Sequence, residues 1–332
     1  MSTSPIAILG AGNAATALAL LLSRHGRQIR LYCIEPEVEH DINANACNTK
    51  YLAGIKLPKN ICAYPDLKQT VHQADIVLVA VPSFAIYETI EAARPYFSKQ
   101  VCIASITKGL DQKTLQPLAI EVAKRLPKQL RTRLCVIAGP AVANELAQHQ
   151  PAAFLIAGPD ASVTKTFADL FHTDVLKVAT SKDLLGAGLC MALKNVYAIA
   201  LGMCDGLKFP MNSKALLTAL AVEEMEGILR ASKANPDTAA GLAGLGDLLV
   251  TGFSSHGRNR TYGEKLVGSK TADPTKLGLG TVEGIAATKA ASKLIRTLGV
   301  SAPLLQTVVR CLKQTSSFEK PLLVYLKKLK LH

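Results

Sequence analysis

The sequence contains no tryptophan, and aromatic residues make up only 5% of its 332 residues. It has no uninterrupted apolar run of the ~18 residues that a membrane-spanning helix requires, so we expect no stable membrane insertion. Its eight cysteines form no Cys-x-x-Cys pair and its seven histidines form no His-x-x-x-His pair, so no metal site is expected. The cysteines lie mostly in apolar segments and are expected to be reduced core residues. Because the first residues also lack a basic segment and a cleavage site, we expect a cytoplasmic protein.

Acidic side chains are scarce relative to basic ones, since 25 Asp and Glu stand against 38 Lys and Arg, a formal net charge of +13. Such an excess is compatible with nucleic acid, an anionic membrane surface or small anionic ligands as partners, or with a basic surface that only maintains solubility. The basic residues are dispersed apart from Lys327, Lys328 and Lys330, and few aromatic residues are present to stack on bases. These features favour a phosphorylated small molecule over a polynucleotide.

The pattern of apolar segments changes near residue 180. Before that point short strand-like runs alternate with helical segments, which is typical of an α/β sheet with mainly parallel strands, and beyond it only helical patterns follow. Strands are predicted at 5–9, 28–33, 76–81, 101–105, 134–138, 152–157 and 175–178, and helices at 16–25, 87–96, 115–126, 141–148, 162–171, 183–207 and 213–231. Because the chain is longer than one core usually supports, we predict a Rossmann-type dinucleotide-binding domain over residues 1–187 and an all-α substrate-binding domain over residues 188–332.

The segment Gly10-Ala-Gly12-Asn-Ala-Ala15 joins the first strand to the first helix. In this context Gly10 permits a tight turn, Gly12 leaves room for a pyrophosphate and Ala15 lets helix and strand pack closely. The alternative is a simple strand-to-helix turn. Glu35 follows the second strand, where a carboxylate binds a ribose 2′-hydroxyl, unless it is a solvated loop residue. Because Ile34 stands beside it in place of an arginine, NAD is favoured over NADP, although a cation from another segment could approach a 2′-phosphate.

Three polar residues and one polar segment each have a functional interpretation and a plainer one. Lys194 interrupts an apolar helical segment and is either a buried functional amine or a lysine that extends its ammonium to the surface. Lys108 follows the strand at 101–105, at the edge where ligands of such sheets bind, or it is an ordinary loop lysine. Asp247 follows a glycine-rich segment and points inward, or it caps a helix at the surface. The run Arg258-Asn259-Arg260 suits a phosphate, or it forms a solvated loop.

Nine short motifs follow one another through nearly the whole chain. They are Gly-Ala-Gly-x-x-x-Thr-Ala-Leu-Ala (10–19), Tyr-Leu-x-Gly-Ile-Lys-Leu-Pro-x-Asn-Ile (51–61), Ala-Val-Pro-Ser (80–83), Thr-Lys-Gly-Leu (107–110), Gly-Pro (139–140), Ala-Leu-Lys-Asn-Val (192–196), Gly-Leu-Gly-Asp-Leu (244–248), Arg-Asn-Arg (258–260) and Val-Glu-Gly (282–284). In this order and at this spacing, the sequence resembles NAD(P)-dependent glycerol-3-phosphate dehydrogenase of the bacterial type.

The resemblance implies reversible hydride transfer between sn-glycerol 3-phosphate and the nicotinamide of NAD(H) or NADP(H), which would supply glycerol 3-phosphate for phospholipid synthesis. It implies that Lys194 is the general base, that Lys108 anchors the substrate oxygen and that Asp247 orients both lysines. The implied substrate contacts are Lys108, Gly139, Ala141, Lys194, Asp247, Gly257, Arg258 and Asn259. The implied cofactor contacts are Gly10, Gly12, Asn13, Ala14, Ile34, Tyr51, Lys108, Ala143, Arg258, Thr281 and Glu283. A homodimer is also expected, because helical second domains of such enzymes often carry a dimer interface.

Several positions depart from the pattern of the family. Asn-Ala-Ala at 13–15 stands where Ser or Thr, Trp and Gly are usual, Ile34 where arginine is frequent, Ala141 where Ser or Thr is common, and Gly257 where a serine contacts the substrate. None of these departures removes a catalytic group. Two other hypotheses remain: a related two-domain dehydrogenase for a different phosphorylated or carboxylated hydroxy compound, and a cofactor-sensing protein that has lost catalysis.

Overall fold

The computed structural model describes residues 3–255, 257–314 and 316–330. Contacts within the chain divide it into two compact units. Residues up to Thr107 together with Leu118–Leu184 form the first unit, and Lys108–Pro117 together with the residues from Leu185 onward form the second. The second unit therefore includes a segment, Lys108–Pro117, that comes from the α/β half of the sequence. The domain division after residue 187 remains a prediction, and that position lies within the helix Leu184–Gly206.

The first unit is an α/β structure, as predicted. Its strands are β1 (Ile6–Leu9), β2 (Ile29–Tyr32), β3 (Cys47–Asn48), β4 (Leu52–Lys56), β5 (Ile61–Tyr64), β6 (Ile76–Val79), β7 (Cys102–Ser105), β8 (Leu134–Ala138), β9 (Ala152–Ala157) and β10 (Leu176–Ser181). Its helices are α1 (Asn13–Ser23), α2 (Pro36–Asn45), α3 (Leu67–Val71), α4 (Ile86–Ala93), α5 (Leu118–Arg125), α6 (Ala143–Ala147) and α7 (Ala161–Phe171).

Eight of these strands form one sheet in the order β10-β9-β8-β7-β6-β1-β2-β5. All neighbouring strands in this sheet are parallel except β8 and β9, which are antiparallel. Strands β1, β6, β7 and β8 are apolar and buried along their whole length, as central strands covered on both faces must be. The chain runs from β1 to β2 on one side and later returns to β6 on the other. This reversal is the point at which open α/β sheets bind ligands.

Several elements of the first unit differ from the prediction. Helices α2 and α3, the edge strand β5 and the two-stranded sheet of β3 and β4 were not predicted, because they are short or polar and lack a sustained apolar period. Helix α4 begins at Ile86, one residue before the predicted start, and ends at Ala93, three residues before the predicted end. Strand β10 extends to Ser181, three residues beyond the predicted end.

The second unit is helical. Its helices are α8 (Leu184–Gly206, whose first residue belongs to the first unit), α9 (Met211–Ala231), α10 (Asp247–Phe253), α11 (Arg258–Leu266), α12 (Glu283–Leu298), α13 (Pro303–Leu312) and α14 (Lys320–Lys328). By length and composition alone, α8 is apolar enough to cross a membrane. The sequence prediction did not identify α8 as a candidate membrane span, because it considered only uninterrupted apolar runs. Yet 89% of its apolar stretch is buried within the protein, and core helices pass the same test.

A buried carboxylate connects three of these helices. Glu224 of α9 accepts hydrogen bonds from the backbone amides of Leu304 and Leu305 at the start of α13, and from the hydroxyl of Tyr197 in α8. Burial raises the pKa of Glu224 to about 7, although all three donors favour the charged form. This carboxylate therefore fixes α8, which also carries Lys194, against α9 and α13.

Candidate active site

The loop between β1 and α1 has the geometry that a pyrophosphate requires. Gly10 has a φ of +126°, and a Cβ atom there would lie 2.8 Å from the carbonyl oxygen of Ala80 just after β6, so this position requires glycine. Gly12 is the N-cap of α1, and no side chain in the described part of the chain caps the first amides of that helix. A Cβ on Gly12 would meet no atom within 4 Å. Free amides and open space at a helix N-terminus fit an anionic ligand.

The other predicted cofactor contacts on this side of the first unit lie in α1 and after β2. Asn13 and Ala14 are exposed in the first turn of α1. Ile34 follows β2 and is 74% exposed. The hydroxyl of Tyr51 donates a hydrogen bond to Glu35 Oε1 at 2.7 Å. Two separate segments of the chain therefore meet at the carboxyl end of β2, the strand next to β1.

Three further predicted contacts, Gly139, Ala141 and Ala143, lie in or just after the loop that follows β8. Gly139 has a φ of +126°, and a Cβ there would lie 2.6 Å from the carbonyl oxygen of Ala153 in β9. Ala141 packs against the core of the first unit, and Ala143 begins α6, which contacts α1. The roles of these residues toward substrate and cofactor remain predictions.

In the second unit, two lysines share one carboxylate. Lys194 lies in the middle of α8 with its side chain only 1% exposed, so the alternative of a surface lysine is wrong. Its ammonium pairs with Asp247 Oδ1 and donates a hydrogen bond to Thr251 Oγ1 at 2.9 Å. Lys108 Nζ lies 3.7 Å from Asp247 Oδ2, and the Lys108 side chain is 32% exposed. Within the described part of the chain, Oδ2 accepts no hydrogen bond. The buried lysine is therefore held tightly and the more accessible one loosely.

The two lysines differ in the direction of their pKa shifts. Burial lowers the pKa of Lys194 and the Lys108 cation lowers it further, while the Asp247 carboxylate opposes both, which leaves a pKa of about 7. Burial also lowers the pKa of Lys108, but attraction to Asp247, with a smaller contribution from Glu283, more than offsets this and raises it. Lys194 can therefore exchange a proton near neutral pH, while Lys108 stays cationic.

The local structure before α10 places Asp247 in the interior. A single π-helical turn, Leu242–Gly246, precedes this helix, and Asp247 is its first residue. A Cβ on Gly244 would lie 2.0 Å from the carbonyl oxygen of Ala239, so the glycine-rich turn packs closer than any side chain would allow. Asp247 is 3% exposed, and the alternative of an exposed helix cap is therefore wrong. Such π turns occur frequently at functional sites.

A chain of amide hydrogen bonds runs beside the lysines. Asn259 Nδ2 donates to Asn195 Oδ1 at 2.9 Å, and Asn259 Oδ1 accepts from the backbone amide of Gly284 at 2.9 Å. Asn195 adjoins Lys194 in α8, and Gly284 follows Glu283 at the start of α12. The chain of bonds therefore connects α8, α11 and α12. An amide nitrogen carries two N–H groups, so Asn259 keeps the capacity to donate to a ligand.

The remaining predicted residues surround the starts of α11 and α12. Arg258 is exposed and is the first residue of α11, and Gly257 is its N-cap. A Cβ on Gly257 would lie 2.3 Å from the carbonyl oxygen of Thr251, which shows why the serine usual in the family does not fit here. Thr281 is exposed before α12, and Glu283 is half-buried as its first residue.

Close helix packing brings α11 to this site. A Cβ on Gly202 of α8 would lie 1.9 Å from the carbonyl oxygen of Arg260, and a Cβ on Gly263 of α11 would lie 2.0 Å from that of Ile199. Because each helix presents a glycine to the backbone of the other, their axes approach closely. This approach lets Asn259 reach Asn195.

A charged cluster also holds α11 against α8. Asp205 of α8 accepts from Lys214 Nζ at 2.9 and 3.0 Å and from Arg260 Nη1 at 2.6 Å. The two basic side chains are 8% and 11% exposed. Arg260 Nη2 also pairs with the more exposed Glu264 at 3.0 Å. The last residue of the Arg-Asn-Arg motif is therefore committed to the protein itself.

Sequence reasoning gave no role to Thr251 or Asn195. Thr251 follows Asp247 by four residues, one helical turn, so both side chains lie on the same face of α10. Asn195 is the immediate neighbour of Lys194 in an apolar helix. The signal available for Thr251 was its position one helical turn after Asp247. The signal available for Asn195 was its position beside Lys194.

All eight cysteines are free. Among the residues that the structure describes, no group of three or more His, Cys, Asp or Glu is arranged to hold a metal ion.

Comparisons with known proteins identify the family of this chain. The family model for the N-terminus of NAD-dependent glycerol-3-phosphate dehydrogenase matches residues 5–164, and the model for its C-terminus matches residues 183–322. The chain is 33% identical over 319 residues to an NAD(P)+ glycerol-3-phosphate dehydrogenase of Chlorobium limicola, with 96% of each chain covered. It is 36% identical over 309 residues to that of Geobacillus thermodenitrificans, covering 92% of this chain and 90% of the relative. The crystal structure of glycerol-3-phosphate dehydrogenase from Coxiella burnetii is similar with a TM-score of 0.89 and 32% identity, covering 98% of this chain and 99% of that one. The protein therefore belongs to the NAD-dependent glycerol-3-phosphate dehydrogenase family.

Proposed function

We propose that this protein catalyses the reversible, NAD(P)-dependent conversion of sn-glycerol 3-phosphate to dihydroxyacetone phosphate. The observation that carries the proposal is the buried Lys194, whose pKa is about 7 and which shares Asp247 with the cationic Lys108. An alcohol dehydrogenation needs a base that accepts a proton near working pH, and this amine meets that requirement. The names of the relatives from Chlorobium and Geobacillus agree with this reaction.

The first unit supplies the residues that would hold the cofactor. Gly10 and Gly12 leave room for its pyrophosphate at the N-terminus of α1, and Glu35 lies where a ribose hydroxyl would donate a hydrogen bond. When bound, the nicotinamide accepts or supplies the hydride. The predicted contacts from the second unit are Lys108, Arg258, Thr281 and Glu283.

The lysine pair handles the proton. In the oxidative direction neutral Lys194 takes the proton of the C2 hydroxyl, and the cationic Lys108 stabilises the negative charge that develops on that oxygen. In the reductive direction protonated Lys194 returns the proton to the same oxygen. Asp247 and Thr251 hold the Lys194 amine in position through both steps.

The substrate phosphate is assigned to the start of α11. Arg258 offers a guanidinium group that is exposed to a ligand, and among the described residues no side chain caps the first amides of this nine-residue helix. Asn259 adds an N–H group whose position is fixed by Asn195 and Gly284. A dianionic phosphate suits such a combination of guanidinium and amides.

The direct test is the loss of NADH or NADPH absorbance when dihydroxyacetone phosphate is added. Turnover is expected with dihydroxyacetone phosphate, and turnover with dihydroxyacetone itself is expected to be far weaker because Arg258 has no phosphate to bind. Lys194→Met is expected to lower turnover by about 10²–10⁴-fold while cofactor binding persists. Preference for an unphosphorylated 2-keto acid would instead support a related dehydrogenase. Cofactor binding without turnover of any of these compounds would support a cofactor-sensing protein.

Three wider properties are proposed with this activity. The protein supplies glycerol 3-phosphate for phospholipid synthesis in the cytoplasm, a location supported by its eight free cysteines. It works as a homodimer through its helical unit, where light scattering after size-exclusion chromatography is expected to give twice the chain mass. Its basic surface serves small anionic ligands, so we expect no duplex DNA binding at physiological salt.

A further inference from the structure

The carboxylate of Glu35 is held by two side chains from another segment of the first unit. Its Oε1 accepts a hydrogen bond from the Tyr51 hydroxyl at 2.7 Å, and its Oε2 pairs with the ammonium of Lys50. Lys50 Nζ also donates to Glu37 Oε1 at 3.0 Å and lies 5.5 Å from the centre of the Tyr51 ring. Two carboxylates and one ammonium leave this corner of the molecule with a net negative charge.

Glu35 is placed where it can reach the adenine-side ribose of a dinucleotide. It stands about 20 residues beyond Ala15, the last small residue of the phosphate-binding loop, at the distance typical of the ribose-binding acid. Strands β1 and β2 are parallel neighbours with Leu9 opposite Tyr32, so Gly10 and Glu35 follow adjacent strands at the same edge of the sheet. A carboxylate has about four lone-pair positions. Glu35 can therefore accept a hydrogen bond from a hydroxyl while it is held by Tyr51 and Lys50.

We infer that Glu35, held by Lys50 and Tyr51, makes this protein select NAD(H) over NADP(H). The inference rests on the proposed function only for the class of cofactor. The 2′-hydroxyl of NAD(H) donates a hydrogen bond to Glu35. The 2′-phosphate of NADP(H) carries a charge of about −1.5 to −2 near pH 7, and its charge would meet the carboxylates of Glu35 and Glu37.

Lys50, the cation paired with Glu35, does not reverse this preference. Lys50 is already paired with both carboxylates, which raise its pKa and hold it as their counterion. Ile34 is 74% exposed beside Glu35 and brings no charge to a position where arginine is frequent in the family. Removing the Glu35 charge would therefore leave Lys50 with one carboxylate partner, Glu37, so that its ammonium could also pair with the 2′-phosphate. It would relieve part of the repulsion at the same time.

The experiment measures the dissociation constants of NADH and NADPH by isothermal titration calorimetry without substrate. Calorimetry is chosen because the protein has no tryptophan whose fluorescence could report binding. The protein is expected to bind NADH at least about tenfold more tightly than NADPH, since a hydrogen bond to a charged group alone is worth about that factor. In Glu35→Gln this preference is expected to fall by about tenfold or more. In Glu35→Gln combined with Lys50→Met, the gain in NADPH affinity is expected to be smaller, because only the relief of repulsion remains.

The matched control is Glu39→Gln, which removes the same charge one turn further along α2, while Lys50 pairs with Glu35 and Glu37. It is expected to leave the NADH to NADPH ratio within about twofold, as ordinary surface substitutions do. A test on the unmodified protein needs no variant to fold. There, 5′-AMP is expected to displace NADH more effectively than adenosine 2′,5′-bisphosphate, which differs from it only by the 2′-phosphate.

Three results would overturn the inference: equal or tighter binding of NADPH by the unmodified protein, a Glu35→Gln variant that melts normally with an unchanged ratio, or stronger displacement by the bisphosphate. The proposed function fails in a different way. A protein that binds NADH selectively but does not turn over dihydroxyacetone phosphate would refute the reaction and leave the selectivity standing.

Discussion

Replacing Lys194 by methionine is expected to lower the rate of glycerol 3-phosphate oxidation strongly and to remove the dependence of that rate on pH. With a pKa of about 7 for Lys194, the neutral amine makes up about 9% of the population one pH unit below that value and about 91% one unit above it. Oxidation by the unmodified protein should therefore become about tenfold faster across this window. Reduction of dihydroxyacetone phosphate, which needs the protonated amine, should become slower over the same window.

The size of the loss follows from what methionine keeps. It is unbranched and of similar length, so the fully buried position in α8 stays filled, while the proton-accepting group is gone. General acid–base catalysis contributes about 10²–10⁴-fold, and we expect a loss in this range. The assay is kcat at saturating substrate in each direction, with the dissociation constant of NADH as a check on folding. Saturation matters because the phosphate of the substrate also titrates, near pH 6.

Lys108→Met is the companion variant. Because the Lys108 cation lowers the pKa of Lys194, its removal should move the rise in oxidation rate to higher pH without abolishing it. Two results would refute the assignment. One is a Lys194→Met enzyme that keeps the same pH profile and rate, and the other is a Lys108→Met enzyme whose profile moves to lower pH.

Three other predictions concern stability, measured by chemical denaturation. Asp205→Asn should lower the free energy of unfolding by about 3 kcal/mol, because Lys214 and Arg260 are nearly buried and lose the carboxylate that they share. Glu264→Gln, at the exposed end of the cluster, should lower it by less than about 1 kcal/mol. Equal effects of the two variants would contradict this prediction. Gly202→Ala should cost about 1–3 kcal/mol or more, since its Cβ would lie 1.9 Å from a carbonyl oxygen, whereas Gly227→Ala, whose Cβ meets one atom at 3.9 Å, should be neutral or stabilising. The folded-state pKa of Glu224, about 7, lies above its ordinary 4.5, so the stability it contributes is present below pH 4.5 and is lost as pH rises through 7. Glu224→Gln should remove this decline, and an unchanged pH dependence of stability would show that the carboxylate is not its source.

The sequence was sufficient for the architecture of the first unit and for the helical character of the second. Local sequence alone produces the alternating apolar runs, the Gly10 loop and the long apolar pattern around Lys194. For most ends of the predicted central strands, the structure agrees within about two residues. It did not predict the edge strand Ile61–Tyr64 or the short helix Leu67–Val71, because elements of four or five residues carry too little periodicity.

For the candidate site, the contributions of the sequence and of the tertiary structure differ more clearly. By resemblance, the sequence predicts that Lys108, Lys194 and Asp247 form the reacting group. It left open whether Lys194 was buried, and it gave no role to Thr251, which is 57 positions away in the chain yet 2.9 Å from its amine. It also placed Glu35 beside the ribose without the Lys50 and Tyr51 contacts that decide its charge balance. Local pattern sets secondary structure, but burial and charge pairing depend on residues that only folding brings together. Our proposals for the proton-accepting lysine and for the preferred cofactor both rest on such burial and pairing.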